Sequence, residues 1–285
     1  MAKQTDWDLI IEPTQPWWKL NLRDIWQYRD LFWLFVKREI VTTYKQTLLG
    51  PLWFFIQPAL TTAMFTFVFG RIANLNPPNI PAPLFFVCGI VIWNYFAESL
   101  TSTANTFQTN ASVYGKVYFP RIISPLSKVF AGLIRFGIQF LLILLLLFYF
   151  VSEGQFSPHF GWSVLWVFPL TFLMLFIGLG LGMVISSLTT KYRDLSYLLT
   201  FGIQLLMYAS AVVFSINTLP QDGPFYQFIK WNPLAQIVDG FRTALLEGQS
   251  PDLMMVLYCL AFAVVSMLVG MFIFNKVEKS FIDVV

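Results

Sequence analysis

The feature that most constrains the fold is a series of six long segments that carry almost no charge. The segments are 48–69, 84–105, 122–151, 162–188, 195–216 and 253–274. Each reaches or exceeds the roughly 20 residues that a helix needs to cross the hydrocarbon core of a bilayer. Of the 285 residues, 57% are hydrophobic and 12% are charged, and the mean hydropathy is +0.66, unlike a soluble domain. Because backbone polar groups in lipid must be satisfied internally, the sequence predicts an all-α membrane protein with six transmembrane helices.

Lysine and arginine residues set the predicted orientation. If the N-terminus is cytoplasmic, only Arg71, Lys230 and Arg242 fall on the outer side, and Arg135 lies within a segment. The remaining Lys and Arg residues all fall on the cytoplasmic side, as the positive-inside rule requires. The sequence therefore predicts a multi-pass protein with both termini in the cytoplasm.

The first 45 residues differ from the rest of the chain. Residues 1–16 are polar and acidic, and without a basic start before an apolar core they do not form a signal peptide. Residues 17–45 have an imperfect apolar face with Trp at its edges, which favours an amphipathic helix in the membrane interface. A soluble helix docked on a partner is the alternative. The predicted domains are 1–45, a cytoplasmic tail and interfacial helix, and 46–285, the membrane domain.

Residues 224–248, between the fifth and sixth segments, are neither a span nor an ordinary loop. Asn232 followed by Pro233 predicts a helix N-cap with proline at the first helical position, and Gly248 predicts a stop. The intervening helix is roughly 20 Å long, short of the ~30 Å that a bilayer core demands. The pattern indicates a re-entrant hairpin on the outer side, or equally an amphipathic helix on the bilayer surface. Asp239 and Arg242 are expected to pair across one turn of this helix, which on an exposed helix contributes ~0.2–0.5 kcal/mol.

Two charges lie well inside the predicted spans. Glu98 and Arg135 are both placed toward the cytoplasmic ends of consecutive antiparallel spans. Because such charges are costly in lipid, we expect them to pair or to line an inner vestibule. Arg135 extending alone to the interface is the alternative. Three glycines of the fourth segment at 178, 180 and 182 favour close helix packing over nucleotide binding.

The sequence contains few residues of the kinds that catalyse reactions or bind metals. It has one His, two Cys in apolar segments and no cluster of Asp and Glu, so we expect no catalytic, cofactor or metal site on it. A G-x-x-x-x-G-K-[ST] phosphate loop is missing from the sequence, so ATP, if used, is bound elsewhere. A net charge of +3 does not indicate a nucleic-acid partner.

Four stretches resemble one family. They are "YKQTLLGPLWFFIQPAL" with the later "FVFGR", "NASVYGKVYFPRIISPLSK", "YRDLSYLLTFGIQLLMYASAVVFS" and "WNPLAQIVDGFR". In this order they resemble the permeases of type-2 ABC exporters for bacterial O-antigen, capsule and teichoic-acid polysaccharides. The resemblance implies a bacterial inner-membrane subunit that works as a homodimer with two copies of a separate ATPase, which binds ATP and magnesium. Its substrate would be a lipid-linked glycan.

Other functions stay open at this stage. A type-2 exporter of a drug, a lipid or a small saccharide is the nearest alternative. A membrane-embedded glycosyl or lipid-carrier transferase lacks the convergent carboxylates that it needs. A passive channel would show no stimulation of a partner's ATP hydrolysis.

The resemblance also implies roles for three sets of residues. The residues implied in docking the ATPase are Arg29, Lys37, Arg38, Glu39, Tyr114, Lys116, Tyr118, Arg121, Lys191, Arg193 and Asp194. The implied outer gate consists of Trp231, Asn232, Pro233, Asp239 and Arg242. Aromatic residues expected along a glycan path are Phe65, Phe69, Trp93, Tyr95, Tyr208 and Phe214.

Overall fold

The computed structural model describes residues 26–45, 49–75, 77–114, 119–159, 161–192, 194–221 and 223–281. The predictions for the tail, Lys116, Tyr118 and Arg193 lie outside this part of the chain. The helices are α1 (Arg29–Tyr44), α2 (Trp53–Phe65), α3 (Ala82–Ala104), α4 (Thr106–Tyr114), α5 (Ile123–Ser152), α6 (Val167–Lys191), α7 (Leu195–Tyr208), α8 (Pro224–Lys230), α9 (Pro233–Arg242) and α10 (Leu253–Phe281).

Five helical stretches are long and apolar enough to cross a membrane. They are Gly50–Ile72, Ala82–Ala104, Ile123–Ser152, Trp162–Lys191 and Leu253–Lys276. The first of these contains α2, the turn of 3₁₀-helix before it and the π-helix Thr66–Ile72 after it. These stretches coincide with five of the six predicted spans, so the all-helical membrane class is confirmed.

The predicted fifth span is wrong as a continuous helix. Helix α7 ends at Tyr208 and has 14 residues, which gives a length of roughly 21 Å. The chain then leaves helical geometry, and Ala211 has a positive φ of 53°. No glycine or proline causes this break. It coincides with hydrogen bonds from the hairpin 224–248.

Helix α6 lies at the centre of the fold, between α3 and α10. Added Cβ atoms at Gly178 and Gly182 would come within 2.9 and 2.5 Å of side-chain atoms of α3. An added Cβ at Gly180, on the opposite face, would lie 2.6 Å from the backbone of Ser266 in α10. The predicted role of these glycines in helix packing is confirmed, and they serve two interfaces rather than one.

The peripheral helices are much less covered. Few residues in the most apolar parts of the first span, α5 and α10 are buried, whereas most of those in α3 and α6 are. Helix α1 packs against α5. Its Phe35 and Val36 are buried and its Trp33 and Leu34 are exposed. The interfacial location of α1 stays a prediction.

The close approach of α6 and α10 can be tested at Gly180. We expect Gly180→Ala to lower the free energy of unfolding by about 1–3 kcal/mol, because the new methyl group forces two backbones apart. Gly137→Ala in α5 is the matched control, since nothing lies near its Cβ position. The measurement is unfolding in mild detergent, and equal stability of the two variants would contradict this packing.

Candidate functional site

The hairpin 224–248 is broken where the sequence predicts. Helix α8 ends at Lys230, and α9 begins at Pro233. The Asn232 side chain accepts a hydrogen bond from the Leu234 N–H at 3.0 Å. Gly248 ends the following turn in the left-handed conformation, with φ of 69°. The predicted N-cap and stop are therefore both present.

Asn232 also binds the end of α7. Its amide nitrogen donates to the Ala209 carbonyl at 2.8 Å and to the Ser210 hydroxyl at 3.3 Å. The last carbonyls of a helix have no partner within that helix. One side chain therefore caps the start of α9 and the end of α7 together.

Arg242 binds the unwound stretch that follows α7. Its guanidinium donates to the Ala211 carbonyl at 2.6 Å, the Val212 carbonyl at 2.5 Å and the Phe85 carbonyl at 3.1 Å. Its carbon Cζ lies 3.8 Å from the centre of the Phe85 ring. Buried carbonyls without donors are costly, and the planar fork of arginine supplies several donors at once. Arg242 thus joins α3, the hairpin and the end of α7.

Arg242 is only 2% exposed, so the prediction of an exposed Asp239–Arg242 pair is wrong. The guanidinium is directed to carbonyls instead. Asp239 is half-buried; its burial raises the pKa of its carboxyl, while the positive charge of Arg242 opposes this shift and Glu247 adds to it. Gly89 is required beneath the guanidinium, because a Cβ there would overlap the Nη2 atom.

The hairpin is also tied to the last helix. The Tyr258 hydroxyl of α10 donates to the Trp231 carbonyl at 2.8 Å. The two rings meet edge to face, with centroids 5.8 Å apart, while the Trp231 side chain stays exposed. Tyr258 therefore ties the break in the hairpin to α10, while Asn232 ties it to the end of α7.

A second polar site lies among the spans. Arg135 of α5 forms an ion pair with Glu98 of α3, so the structure brings the two intramembrane charges together. A second ion pair joins Arg135 to Glu39 of α1 at 3.8 Å. The guanidinium also lies 5.5 Å from the Phe54 ring centre. One cation thus connects α1 with two spans.

Helix α1 has further polar contacts on this side. Arg38 donates to the Asn110 side chain at 3.0 Å, and Lys128 donates to the Thr109 hydroxyl at 2.6 Å. Asn110 is buried in α4, and Lys128 belongs to α5. The α1 helix is therefore fixed to α4 directly, and α4 is fixed to α5.

Among the residues expected to dock an ATPase, Arg38 and Glu39 make the contacts within the chain that are given above, and six others divide into two groups. Arg29, Lys37, Lys191 and Asp194 are exposed and available to a partner. Tyr114 and Arg121 are only 8% and 7% exposed, and the Arg121 guanidinium lies 5.3 Å from the Tyr114 ring centre. They contact each other inside the fold, and their expected role in docking stays a prediction.

The residues expected along a glycan path differ in their exposure within one copy of the chain. Trp93 and Tyr95 are 3% and 2% exposed and pack in the core around α3. Tyr208 is exposed, whereas Phe65, Phe69 and Phe214 are partly buried. Only these four keep a surface that a substrate could reach.

Sequence reasoning missed several residues that build these sites. Gly89 and Phe85 gave no signal, because they lie in an apolar segment far from the hairpin. Glu39 was assigned to a docking surface. Glu39 and Arg135 are almost a hundred residues apart in the sequence, so no local pattern indicates their ion pair.

The fold and both sites define a multi-span helical membrane protein with a capped helical hairpin and an ion network between its helices. Residues 30–246 match the family model for the ABC-2 type transporter. The match covers most of the chain, so this protein belongs to the ABC-2 type transporter family. The resemblance seen in the four sequence stretches is therefore confirmed.

The most similar relatives include exporters of bacterial surface polysaccharides. The O-antigen export system permease protein RfbA of Klebsiella pneumoniae is 27% identical over 257 residues, covering 90% of this chain and 95% of the relative. The RfbA protein of Myxococcus xanthus is 26% identical, covering 92% and 98%. The polysialic acid transport protein KpsM of Escherichia coli is 21% identical, covering 85% and 92%.

The Arg242 contacts predict a large loss on substitution. We expect Arg242→Gln and Arg242→Lys each to lower the free energy of unfolding by about 2–3 kcal/mol, because neither side chain reaches all three carbonyls. Gly89→Ala should reproduce part of this loss by displacing the guanidinium. Thermal unfolding in mild detergent measures each effect, with Lys230→Gln of the same hairpin as control. A stable Arg242→Lys variant would show that the planar fork is not needed.

The ion network predicts an order of effects. Arg135→Gln leaves Glu98 and Glu39 as neighbouring acids without their cation, whereas Glu98→Gln leaves Arg135 paired with Glu39. We therefore expect Arg135→Gln to cost about 2 kcal/mol or more, Glu98→Gln to cost less, and the double variant to be non-additive. Lys37→Gln on the exposed side of α1 is the control. Additive losses of equal size would argue against the network.

Proposed function

We propose that this chain is the membrane-spanning subunit of an ATP-driven exporter that moves a lipid-linked polysaccharide across the bacterial inner membrane. The observation that carries the proposal is the similarity to O-antigen export permeases over nine-tenths of the chain. The glycan would be of the O-antigen, capsule or teichoic-acid kind. The chain itself would perform no chemistry, and a separate ATPase would bind ATP and magnesium.

The transporter would contain two copies of this chain and two copies of the ATPase. Helix α7 leaves large apolar side chains exposed at Tyr197, Leu198 and Phe201, and most of the first span is also uncovered. Uncovered faces of this kind are available for a second copy as well as for lipid. A pathway between two copies agrees with the dense packing of the core of each one.

Both termini would lie in the cytoplasm, as the distribution of Lys and Arg favours. The chain would then cross a sixth time through α7 and the unwound residues 209–215. Non-helical backbone at membrane depth is tolerated only where protein or a water-filled cavity surrounds it. The donors of Asn232 and Arg242 to this stretch support that arrangement, with the hairpin 224–248 entering from the outer side.

The ATPase would dock on the exposed cytoplasmic residues Arg29, Lys37, Lys191 and Asp194. Helix α1 is joined to α3 and α5 by the two ion pairs of Arg135. A displacement of α1 by the ATPase would therefore act directly on two spans. This connection is how ATP hydrolysis would reach the pathway.

The hairpin would be the outer gate of the pathway. Its break at Asn232 and Pro233 separates two short helices, and Trp231 beside the break is exposed. Sugars have apolar C–H faces that favour contact with aromatic rings. Tyr208, next to the unwound stretch, together with Phe214, Phe65 and Phe69 would offer such rings to a passing chain.

The function is tested by export in the native cell and by turnover in vitro. Loss of the gene should abolish the surface polysaccharide and leave lipid-linked glycan inside the cell, and the restored gene should reverse both. The purified complex of chain and ATPase should hydrolyse ATP faster when lipid-linked glycan is added. If a drug or a phospholipid stimulates hydrolysis and the glycan does not, the chain exports another substrate class.

The gate is tested by replacing both residues of the break with alanine. Asn232→Ala with Pro233→Ala removes the cap of α9 and the bond to Ala209, at a cost of about 1–2 kcal/mol. We expect assembly to be unchanged but export to fall, or small solutes to leak. Ser250→Ala, in the exposed segment after the hairpin, is the control. Unchanged export and an unchanged permeability barrier in the double variant would remove the gate from this proposal.

A further inference from the structure

A groove of about 420 Å³ opens on the surface between the first span and the outer half of α5. Its walls include Ala59, Ala63 and Phe67 of the first span and Leu142 and Leu146 of α5. The volume lies within the roughly 300–1,000 Å³ typical of ligand sites. Ala63 and Phe67 are exposed, so a ligand can enter the groove from the side.

The walls of this groove present carbon rather than polar atoms. Thr62 and Thr66 also line it, but their hydroxyl oxygens are buried and make no hydrogen bond within the described residues. The remaining wall residues at this depth are apolar. The groove is therefore suited to a hydrocarbon chain and not to the hydroxyl groups of a sugar.

One end of the groove carries a positive charge. Arg71 lines it and is exposed, and the described residues give its guanidinium no ion pair or hydrogen bond. Because the first span ends at Ile72, this charge lies at the boundary between membrane and water. A cation at the rim and an apolar channel running inward match the two parts of a lipid.

The π-helix Thr66–Ile72 produces this arrangement. In an α-helix, residues five apart point about 140° away from each other. The i→i+5 pairing of a π-helix brings them to the same side, and both Thr66 and Arg71 line the groove. Such turns are often found at functional sites. Here the wide turn places the cation directly above the apolar walls.

We propose that this groove binds one acyl chain of a membrane phospholipid with an anionic headgroup, and that the headgroup phosphate pairs with Arg71. Arginine suits this role because its planar fork binds phosphate with two parallel hydrogen bonds. A second copy of the chain is a less suitable occupant. A two-fold contact centred on the groove would bring two Arg71 side chains together, and like charges oppose such a contact.

Lipid binding by the full-length protein tests the proposal. Phosphatidylglycerol and phosphatidylcholine with identical acyl chains are titrated separately onto the purified protein in detergent, and bound lipid is counted by native mass spectrometry. We expect the wild-type protein to prefer phosphatidylglycerol. Arg71→Gln should weaken phosphatidylglycerol binding about fivefold and abolish the preference, since one basic residue near the membrane contributes about that factor. Arg71→Lys should keep most of the affinity for phosphatidylglycerol.

Two matched pairs of variants separate the groove from general effects. Ala63→Phe fills the groove from an exposed position and should remove this site for both lipids. Met64→Phe, one residue along and outside the groove, should leave it intact. Lys230→Gln removes another outer-side cation and should change neither affinity. The melting temperature of each variant shows that it is folded.

Three results would overturn the proposal. The first is equal binding of the two lipids by the wild-type protein. The second is unchanged phosphatidylglycerol affinity in folded Arg71→Gln. The third is efficient cross-linking of Ala63→Cys between two copies in the membrane, which would assign the groove to a second chain; Cys88 and Cys259 are buried and give little background. None of these measurements uses transport, so the proposal stands or fails independently of the exporter function.

Discussion

The arrangement around the hairpin depends on backbone carbonyl groups that have no hydrogen-bond donor within a helix. Beyond Tyr208 the chain leaves helical geometry, so its carbonyls need donors from elsewhere, and Arg242 and Asn232 supply them. In a low-dielectric surrounding each unpaired carbonyl would be costly. The side chains of the hairpin thus stabilise the break after α7. If Asn232 or Arg242 were removed, the carbonyls that it binds would stay buried without a donor.

A second arginine, Arg135, joins helices in another part of the membrane domain. Arg135 pairs with Glu98 of α3 and with Glu39 of α1, and so combines an intramembrane charge with the helix that we propose meets the ATPase. The two sites use arginine differently. Arg242 binds uncharged backbone carbonyls and so fixes a shape, whereas Arg135 binds two acids that belong to different helices. Both arginines contact α3, Arg242 at the Phe85 carbonyl near its start and Arg135 at Glu98 nearer its end.

Hydropathy and capping residues predicted six spans, of which five are present as long apolar helices, together with the break at Asn232 and the proximity of Glu98 to Arg135. The end of α7 could not be predicted, because residues 209–216 contain neither glycine nor proline and the break depends on a residue some thirty positions further along. The burial of Trp93 and Tyr95 was also out of reach. Helix α3 is apolar on nearly all sides, so periodicity does not reveal which face meets the core.

The glycine contacts of α6 determine which parts of this protein can change position. Gly180 and Gly270 bring the backbones of α6 and α10 together, while Gly178 and Gly182 do the same toward α3. Sliding any of these three helices would drive backbone atoms into one another, so they must travel as a rigid body. The sparsely packed α7 and first span are free of that restraint. Residues 209–215 are held differently, because the hydrogen bonds of Asn232 and Arg242 rather than interlocked backbones keep them in place.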